Sequence, residues 1–353
     1  IEYSAALQKI GANVFAASDF DYGNMGMTCV RRYFDQSWDL FADAIMTPAF
    51  GTDEFKLMKN QFISGAQQAE ADADSKLRNL AMENVFEGMN YSKIPSGTEA
   101  SLSALTREDL QSYYKGLMGK KRCFLVVVGD ISKADLEQKI KASLANLPNG
   151  DLPKMEERIS INANPKNKTE ARDIATNYIR GYMEAPKLTE DDGVAMLLAM
   201  DMLRNRYFVE LRTKRSLSYA PSAFYAQGIL NNPYAAVYIS TNDPKQAMEV
   251  MVAEIQKIKK EGFDPQELIN KKAGYLTNYY MGKETLSSQA ASLGMAELRG
   301  DWRMADQFTD MVNEVSLEDI NEAFDKYTNN ISWTYLGDLE LVTEEDFGQP
   351  VKP

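Results

Sequence analysis

Leu105-Thr-Arg-Glu-Asp-Leu110 followed by Cys123-Phe-Leu-Val-Val-Val-Gly-Asp130 is answered later in the chain by Val315-Ser-Leu-Glu-Asp-Ile320 followed by Ile331-Ser-Trp-Thr-Tyr-Leu-Gly-Asp338. The spacings are nearly equal, 315 − 105 = 210 and 337 − 129 = 208. A third block keeps the order, Phe50-Gly-Thr-Asp-Glu54 matching Phe263-Asp-Pro-Gln-Glu267 at 263 − 50 = 213. Ordered self-similarity at one spacing reads as a tandem duplication. The second copy opens near Ala171, and 171 − 210 = −39, so the first copy lacks about forty residues of its opening by this arithmetic. A first module is therefore expected over residues 1–150 and a second over 171–353. Between them, 151–170 is read as a linker, because Leu147-Pro-Asn-Gly-Asp-Leu-Pro153 and Asn162-Ala-Asn-Pro-Lys-Asn-Lys168 are rich in turn formers and charge.

Within each copy, alternation and β-branched or aromatic content predict strands at 25–30, 124–128, 177–183, 234–240 and 331–336. Apolar residues three and four apart predict helices at 35–46, 53–87, 106–117, 133–147, 190–213, 244–260, 265–298 and 316–327. Thr106-x-x-Asp109 and Ser316-x-x-Asp319 have the form of capping boxes, with Asp in the place of Glu or Gln. Strands, a helix, a long helix pair, a short helix and a final strand recur in both copies. The expected fold class is α+β: two tandem modules, each a mixed, mainly antiparallel sheet covered by helices on one face.

Composition sets limits on function. A length of 353 residues with 44% apolar content supports two cores. The balance of 39 basic against 51 acidic residues, net −12, lacks the basic footprint of a nucleic-acid or anionic-membrane surface. The longest apolar run, 194–200, is far below the roughly 20 residues that span a bilayer. There is no histidine, which removes Ser-His-Asp and Cys-His nucleophiles and His-containing zinc sites. Cys29 and Cys123 sit in apolar stretches and read as buried free thiols. Met196, Met200 and Met202 read as core filling on one helix. Glu70-x-Asp72-x-Asp74 mimics the start of a calcium loop but lacks its Gly and final Glu, so it reads as a solvated helix face. Gly23-Asn-Met-Gly26 is too sparse for a phosphate loop and is placed in a hairpin.

Several segments in order resemble the pitrilysin or insulinase-type zinc peptidases, a family that includes the mitochondrial processing peptidase and the core proteins of respiratory complex III. Ile10-Gly-Ala-Asn-Val-Phe-Ala-Ala-Ser18 is similar to the family's Gly-Ala-x-x-Asn-Ala-x-Thr edge strand, with Phe15 where Asn is usual. Pro48-x-Phe50-x-x-x-Glu54, Gly97-Thr-Glu-x-Ser-Leu102 and Val128-Gly-Asp130 follow in family order. The most specific match is Tyr207-Phe-Val-Glu-Leu-Arg-Thr-Lys-Arg-Ser-Leu-Ser-Tyr219, which resembles Leu-Arg-Glu-x-x-Gly-Leu-Ala-Tyr.

The resemblance implies a zinc site of His-x-x-Glu-His on a helix of the first copy, with a further Glu later. That helix would fall before residue 1, and the later ligand position is occupied by Gly65 in Phe62-Ile-Ser-Gly-Ala-Gln-Gln68. Glu70 lies five residues on and faces elsewhere on a helix. The expectation is a degenerate subunit with no metal ligand and no catalytic residue of its own, whose zinc is held by a homologous partner subunit. Arg212 and Tyr219 are then expected to reach a partner's cleft and bind the carbonyls of an extended, unfolded peptide. Phe15 and Ala16 on the edge strand are expected to pair with that peptide's backbone. Plainer readings stand beside these. Arg212 could end a helix and offset its dipole, Tyr219 could be a half-buried strand aromatic, and 14–18 could be an ordinary edge strand. At the level of function, the alternatives are a scaffold like the complex III core proteins and a stand-alone peptide-binding module. The compartment is left open, although the start Ile-Glu-Tyr, without Met, would suit a removed leader and a bacterial periplasm.

Overall fold

The computed structural model describes residues 2–155, 157–161, 163 and 165–347. Positions 156, 162 and 164 of the expected linker, Ile1 of the first module and 348–353 of the second lie outside the described residues. In chain order the elements are α1 (Glu2–Lys9), β1 (Asn13–Ser18), β2 (Gly23–Thr28), α2 (Phe34–Met46), α3 (Thr52–Ala71), α4 (Ala73–Val85), α5 (Glu99–Ala104), α6 (Arg107–Leu117) and α7 (Lys133–Ala142). There follow β3 (Lys168–Ala171), β4 (Asn177–Glu184), α8 (Gly193–Tyr207), β5 (Ser222–Tyr225), β6 (Tyr234–Thr241), α9 (Pro244–Glu261), α10 (Pro265–Met281), α11 (Leu286–Leu298), α12 (Met304–Glu314), α13 (Leu317–Tyr327) and β7 (Ser332–Gly337). The α+β class holds.

Two compact units form, and they do not follow the expected cut at 150. Unit 1 gathers the chain up to Gln67, Pro95–Met155 and Gly282–Met295, while unit 2 takes Gln68–Ile94, the chain from 156 to Met281, and the chain from Ala296 on. Thus α4, expected in the first module, folds with unit 2, and the opening of α11 folds with unit 1. The expected linker also overlaps the second sheet, since β3 begins at Lys168.

Unit 2 holds a five-stranded sheet in the order β3-β7-β4-β6-β5, antiparallel except for the parallel pair β3 and β7. Alternate residues of the central strands point to opposite faces. Ile179 and Tyr335 enter the main core with Met196, Met200 and Met202 of α8 and Met248, Met251 and Ile255 of α9. Tyr178, Tyr238 and Leu336 point the other way and pack on Leu77 and Leu80 of α4. The sheet is therefore covered on both faces, not on one, because α4 is supplied by the earlier part of the chain.

Among the described residues, unit 1 has only the β1–β2 hairpin as a sheet, pairing Asn13 with Thr28 through Ser18 with Gly23. The expected strand at 124–128 does not form. A strand exists only with a ladder partner, and none pairs with this segment among the described residues. A smaller core, Phe34, Trp38 and Ala42 of α2, gathers Met27, Cys29, Ile131, Leu136 and Ile140. Cys29 is half-buried, but Cys123 is exposed, contrary to expectation, because its segment has no covering neighbour.

A lysine clamp recurs at the repeat spacing. Lys59 on α3 donates to the carbonyls of Ser103 (2.7 Å) and Leu105 (2.9 Å). Lys272 on α10, 272 − 59 = 213 residues on, donates to those of Asn313 (2.7 Å) and Val315. Each ammonium satisfies acceptors left at a helix C-terminus. The next residue then starts a capping box, formed at both Thr106/Asp109 and Ser316/Asp319. The Ser316 N–H donates to the Asp319 carboxylate at 2.7 Å and, with the hydroxyl, holds that carboxyl below its ordinary value of 3.8. A depressed carboxyl stabilises the fold above its unfolded pKa and loses that contribution as pH falls through the folded one. Asp319→Asn is therefore expected to flatten part of the stability loss below pH 3.8, read from thermal midpoints across an acid series. An unchanged acid slope would count against the cap.

Candidate functional site

α8 is buried along most of its length, and its continuation widens into a π-helical turn, Phe208–Thr213. The Lys214 N–H donates to the Val209 carbonyl at 2.9 Å, a five-residue step, and the Leu217 N–H closes back on the Leu211 carbonyl at 2.8 Å. Leu211 is fully buried and anchors the turn, whereas Phe208 and Val209 are exposed. Such single wide turns concentrate at functional sites, because they re-aim side chains that a regular helix would stagger.

The turn brings Arg212 and Tyr219 together. The Arg212 guanidinium lies over the Tyr219 ring at 4.2 Å and over the Phe208 ring at 4.7 Å. Glu210, the nearby carboxylate in sequence, is taken by Lys214 and Arg215, each at 2.6 Å, and their hydrogen bonds hold its carboxyl below the usual range. Arg212 makes no ion pair or hydrogen bond through its side chain among the described residues. A stacked guanidinium uses its flat face and keeps its in-plane N–H donors for another group. Tyr219 is 80% exposed and lies outside any strand, which overturns its plainer reading as a half-buried strand aromatic. Arg212 lies in the last turn of this wide segment, next to its final residue Thr213, so its plainer reading as a basic residue at a helix end keeps its place beside the functional one. Phe208 was missed in the sequence because nothing there marks a change from 3.6-residue period to a wider one.

Ser216 has φ +53°, left-handed backbone, and it stands at the Gly place of the Leu-Arg-Glu-x-x-Gly-Leu-Ala-Tyr pattern quoted above. A residue with a Cβ is strained by roughly 1–2 kcal/mol there. Part of the relief on substitution is offset by the greater freedom of glycine in the unfolded chain. Ser216→Gly is expected to raise stability by about 0.5–1 kcal/mol, measured by denaturant midpoint at constant slope. A lower midpoint would contradict the strain.

Phe15 and Ala16 lie exposed on β1, in unit 1. Phe15 faces Gly26 across the hairpin, where an added Cβ would come within 2.2 Å of its ring. The ring thus covers a glycine and fills the gap its missing side chain leaves. β1 has no second neighbour among the described residues, so one edge of its backbone remains open.

The family's zinc does not fit the residues present. At Gly65 an added Cβ would meet nothing within 4 Å, so the place holds neither a donor atom nor one close by. Among the described residues, no group of three or more Cys, Asp or Glu could hold a metal ion. The acidic run at 70–74 is spent otherwise: Asp72 caps α4 by accepting from the Ser75 N–H at 2.8 Å, Glu70 pairs with Lys76, and Asp74 accepts from Tyr238. All three are exposed, as on a solvated face, and Asp72 marks the junction of α3 and α4. No helix among the described residues is long and apolar enough to cross a membrane.

Residues 104–275 match the family described as the peptidase M16 inactive domain. The chain is M16-like. An uncharacterized zinc protease of Bacillus subtilis is 21% identical over 329 residues, 91% of this chain and 79% of its own length. One of Mycobacterium leprae is 22% identical over 294 residues, 80% of this chain and 66% of its own. Among solved structures, the peptidase M16 inactive domain from Pseudomonas fluorescens superposes with a TM-score of 0.86 at 16% identity, covering 95% of this chain and 83% of that one. A chain of complex III2 from Candida albicans superposes at 0.77 with 14% identity, covering 98% and 88%. At such identities the structural likeness speaks for the fold.

Proposed function

We propose that this M16-like chain is the non-catalytic, substrate-binding subunit of a heteromeric zinc peptidase that acts on unfolded peptides. The metal sits in a homologous partner subunit, and this chain contributes Arg212 and Tyr219 to the peptide. The observation that carries the reading is the Arg212–Tyr219 pair itself, stacked at 4.2 Å on a wide turn and free of any carboxylate partner. A half-buried arginine with unspent in-plane donors beside an exposed phenol suits a peptide carbonyl. Within unit 1, the open edge of β1 with Phe15 and Ala16 offers main-chain pairing to an extended peptide. A glycine at 65, which brings no donor, supports placing the metal in the partner.

The test uses this chain assembled with a His-x-x-Glu-His partner. Arg212→Ala is expected to lower peptide turnover by at least about tenfold, which corresponds to one lost charge-assisted hydrogen bond, while the complex elutes unchanged on gel filtration. Unchanged turnover would refute the assigned role, and chelator-sensitive hydrolysis by this chain alone would sink the whole reading. A second reading, a scaffold without peptide cleavage, is favoured by the fold shared with the complex III chain. It predicts stable association with a larger assembly and indifference to changes at Arg212 and Tyr219.

A further inference from the structure

Basic residues concentrate around the wide turn in a chain that is otherwise strongly acidic. Between 202 and 242 stand Arg204, Arg206, Arg212, Lys214 and Arg215 against Glu210 alone, 5 − 1 = +4, so the rest of the chain carries −12 − 4 = −16. The fold sorts these charges into two groups, both within unit 2. Along α8 and α10, Arg204 pairs with Asp201, Lys271 with Asp201 at 2.8 Å, and Arg206 faces Glu267 at 3.7 Å, so three cations meet two anions. At the turn, Lys214 and Arg215 share Glu210, and Arg212 has no anion among the described residues, so three cations meet one. The larger excess of positive charge therefore lies at the turn.

Depth strengthens that excess. The Glu210 side chain is 15% exposed, whereas those of Lys214 and Arg215 are 59% and 38% exposed, so the anion is held deeper than the two cations it neutralises. Arg215 spends only Nη1 among the described residues, on the Glu210 carboxylate and on the Glu210 carbonyl at 2.9 Å. A guanidinium paired along one edge keeps its other donors for a second carboxylate, which it can hold through two parallel hydrogen bonds. Phe208, Val209 and Tyr219 are exposed in the same segment, so a second anion at the turn would arrive beside apolar surface.

We infer that the Arg212 site selects acidic peptides, with a Glu or Asp side chain of the peptide on Lys214 and Arg215 and a neighbouring apolar side chain on Phe208 and Val209. This rests on the reading of Arg212 and Tyr219 as the peptide-binding pair and adds the class of substrate to it. The net charge of −12 makes the inference discriminating. A chain that drew in peptides by its overall charge would favour basic ones, so a preference for acidic ones has to come from this local patch.

The probes are three capped peptides of one sequence, Gly-Ser-x-x-Leu-Phe-x-x-Ser-Gly, in which x is Glu, Gln or Lys throughout, titrated by fluorescence anisotropy against the 353-residue chain. At roughly 0.15 M salt, where charges act over about 8 Å, the Glu peptide is expected to bind at least about fivefold more tightly than the Gln peptide, the effect of two exposed ion pairs, and the Lys peptide most weakly. Lys214→Glu is expected to reverse that order. Lys133→Glu, which changes the net charge equally from a side chain 91% exposed in unit 1, is expected to preserve it. Arg212→Ala is expected to weaken all three peptides, by at least about tenfold for the loss of a charge-assisted hydrogen bond. Three peptides that bind alike and are all weakened by Arg212→Ala would overturn the acidic class and leave the peptide-binding reading standing. Loss of the preference in Lys133→Glu would assign it to overall charge, and a preference untouched by Lys214→Glu or by Arg212→Ala would place the acidic peptide elsewhere; either result overturns the inference. Binding of none of the three would overturn it together with the reading on which it rests.

Discussion

Trp333→Ala is expected to lower the stability of unit 2 by about 3–5 kcal/mol, the range for emptying a buried aromatic site. Trp333 is 2% exposed and sits directly opposite Gly181 on the central strand. An added Cβ at Gly181 would come 2.8 Å from the Trp333 ring and 2.6 Å from Ile331 Cγ2. The indole therefore occupies the space that a side chain on β4 would need. Gly181→Ala alone overpacks this place and is expected to cost about 1–3 kcal/mol. Combined with Trp333→Ala, the new methyl fills part of the vacated volume, so the double variant should cost at least about 1 kcal/mol less than the sum. Since a domain is stable by only about 5–15 kcal/mol, the first substitution alone removes a large part of that margin. Amide exchange in β4 and β7 reads unit 2 separately from unit 1. Strict additivity of the two changes would show that the ring and the glycine do not share this space.

The parts of the fold that the sequence reveals are those whose ladder partners lie among the described residues. β4, β6 and β7 alternate and find each other, so their pattern sufficed. The run at 124–128 has as strong a strand pattern as β7 and forms none, because β propensity expresses fit to neighbouring strands more than a backbone preference. The helices read as continuous over 53–87 and 265–298 break at Asp72 and at 282–285. The apolar period continues across both breaks, yet the side chains that cap the restarts were in view. Asp72 accepts from the Ser75 N–H and Thr285 from the Ser288 N–H. Arg212 and Tyr219 were legible only through a motif. Their contact depends on the wide turn after Tyr207, which has no glycine or proline to mark it. The positive φ of Ser216 is likewise hidden, since serine gives no sign of left-handed backbone.

Tyr219→Phe separates the two parts that the proposed site assigns to the tyrosine. The substitution keeps the ring under the guanidinium, now 4.2 Å away, and removes only the hydroxyl. A donor aimed at the charge that develops on a scissile carbonyl oxygen contributes about 10²–10³ in kcat. In the assembled peptidase, Tyr219→Phe is therefore expected to lower kcat by about that factor and to leave KM nearly unchanged, since an interaction made only in the transition state does not affect ground-state binding. Arg212→Lys differs in kind. It keeps the charge but gives up the planar donor fork and the stacking on Tyr219 and Phe208, so it should raise KM with a smaller effect on kcat. The two side chains touch, so Arg212→Ala and Tyr219→Ala should combine with less than the summed loss. A Tyr219→Phe enzyme with wild-type kcat would reduce the tyrosine to a support for the arginine, and indifference to all four variants would leave the scaffold reading in possession of the chain.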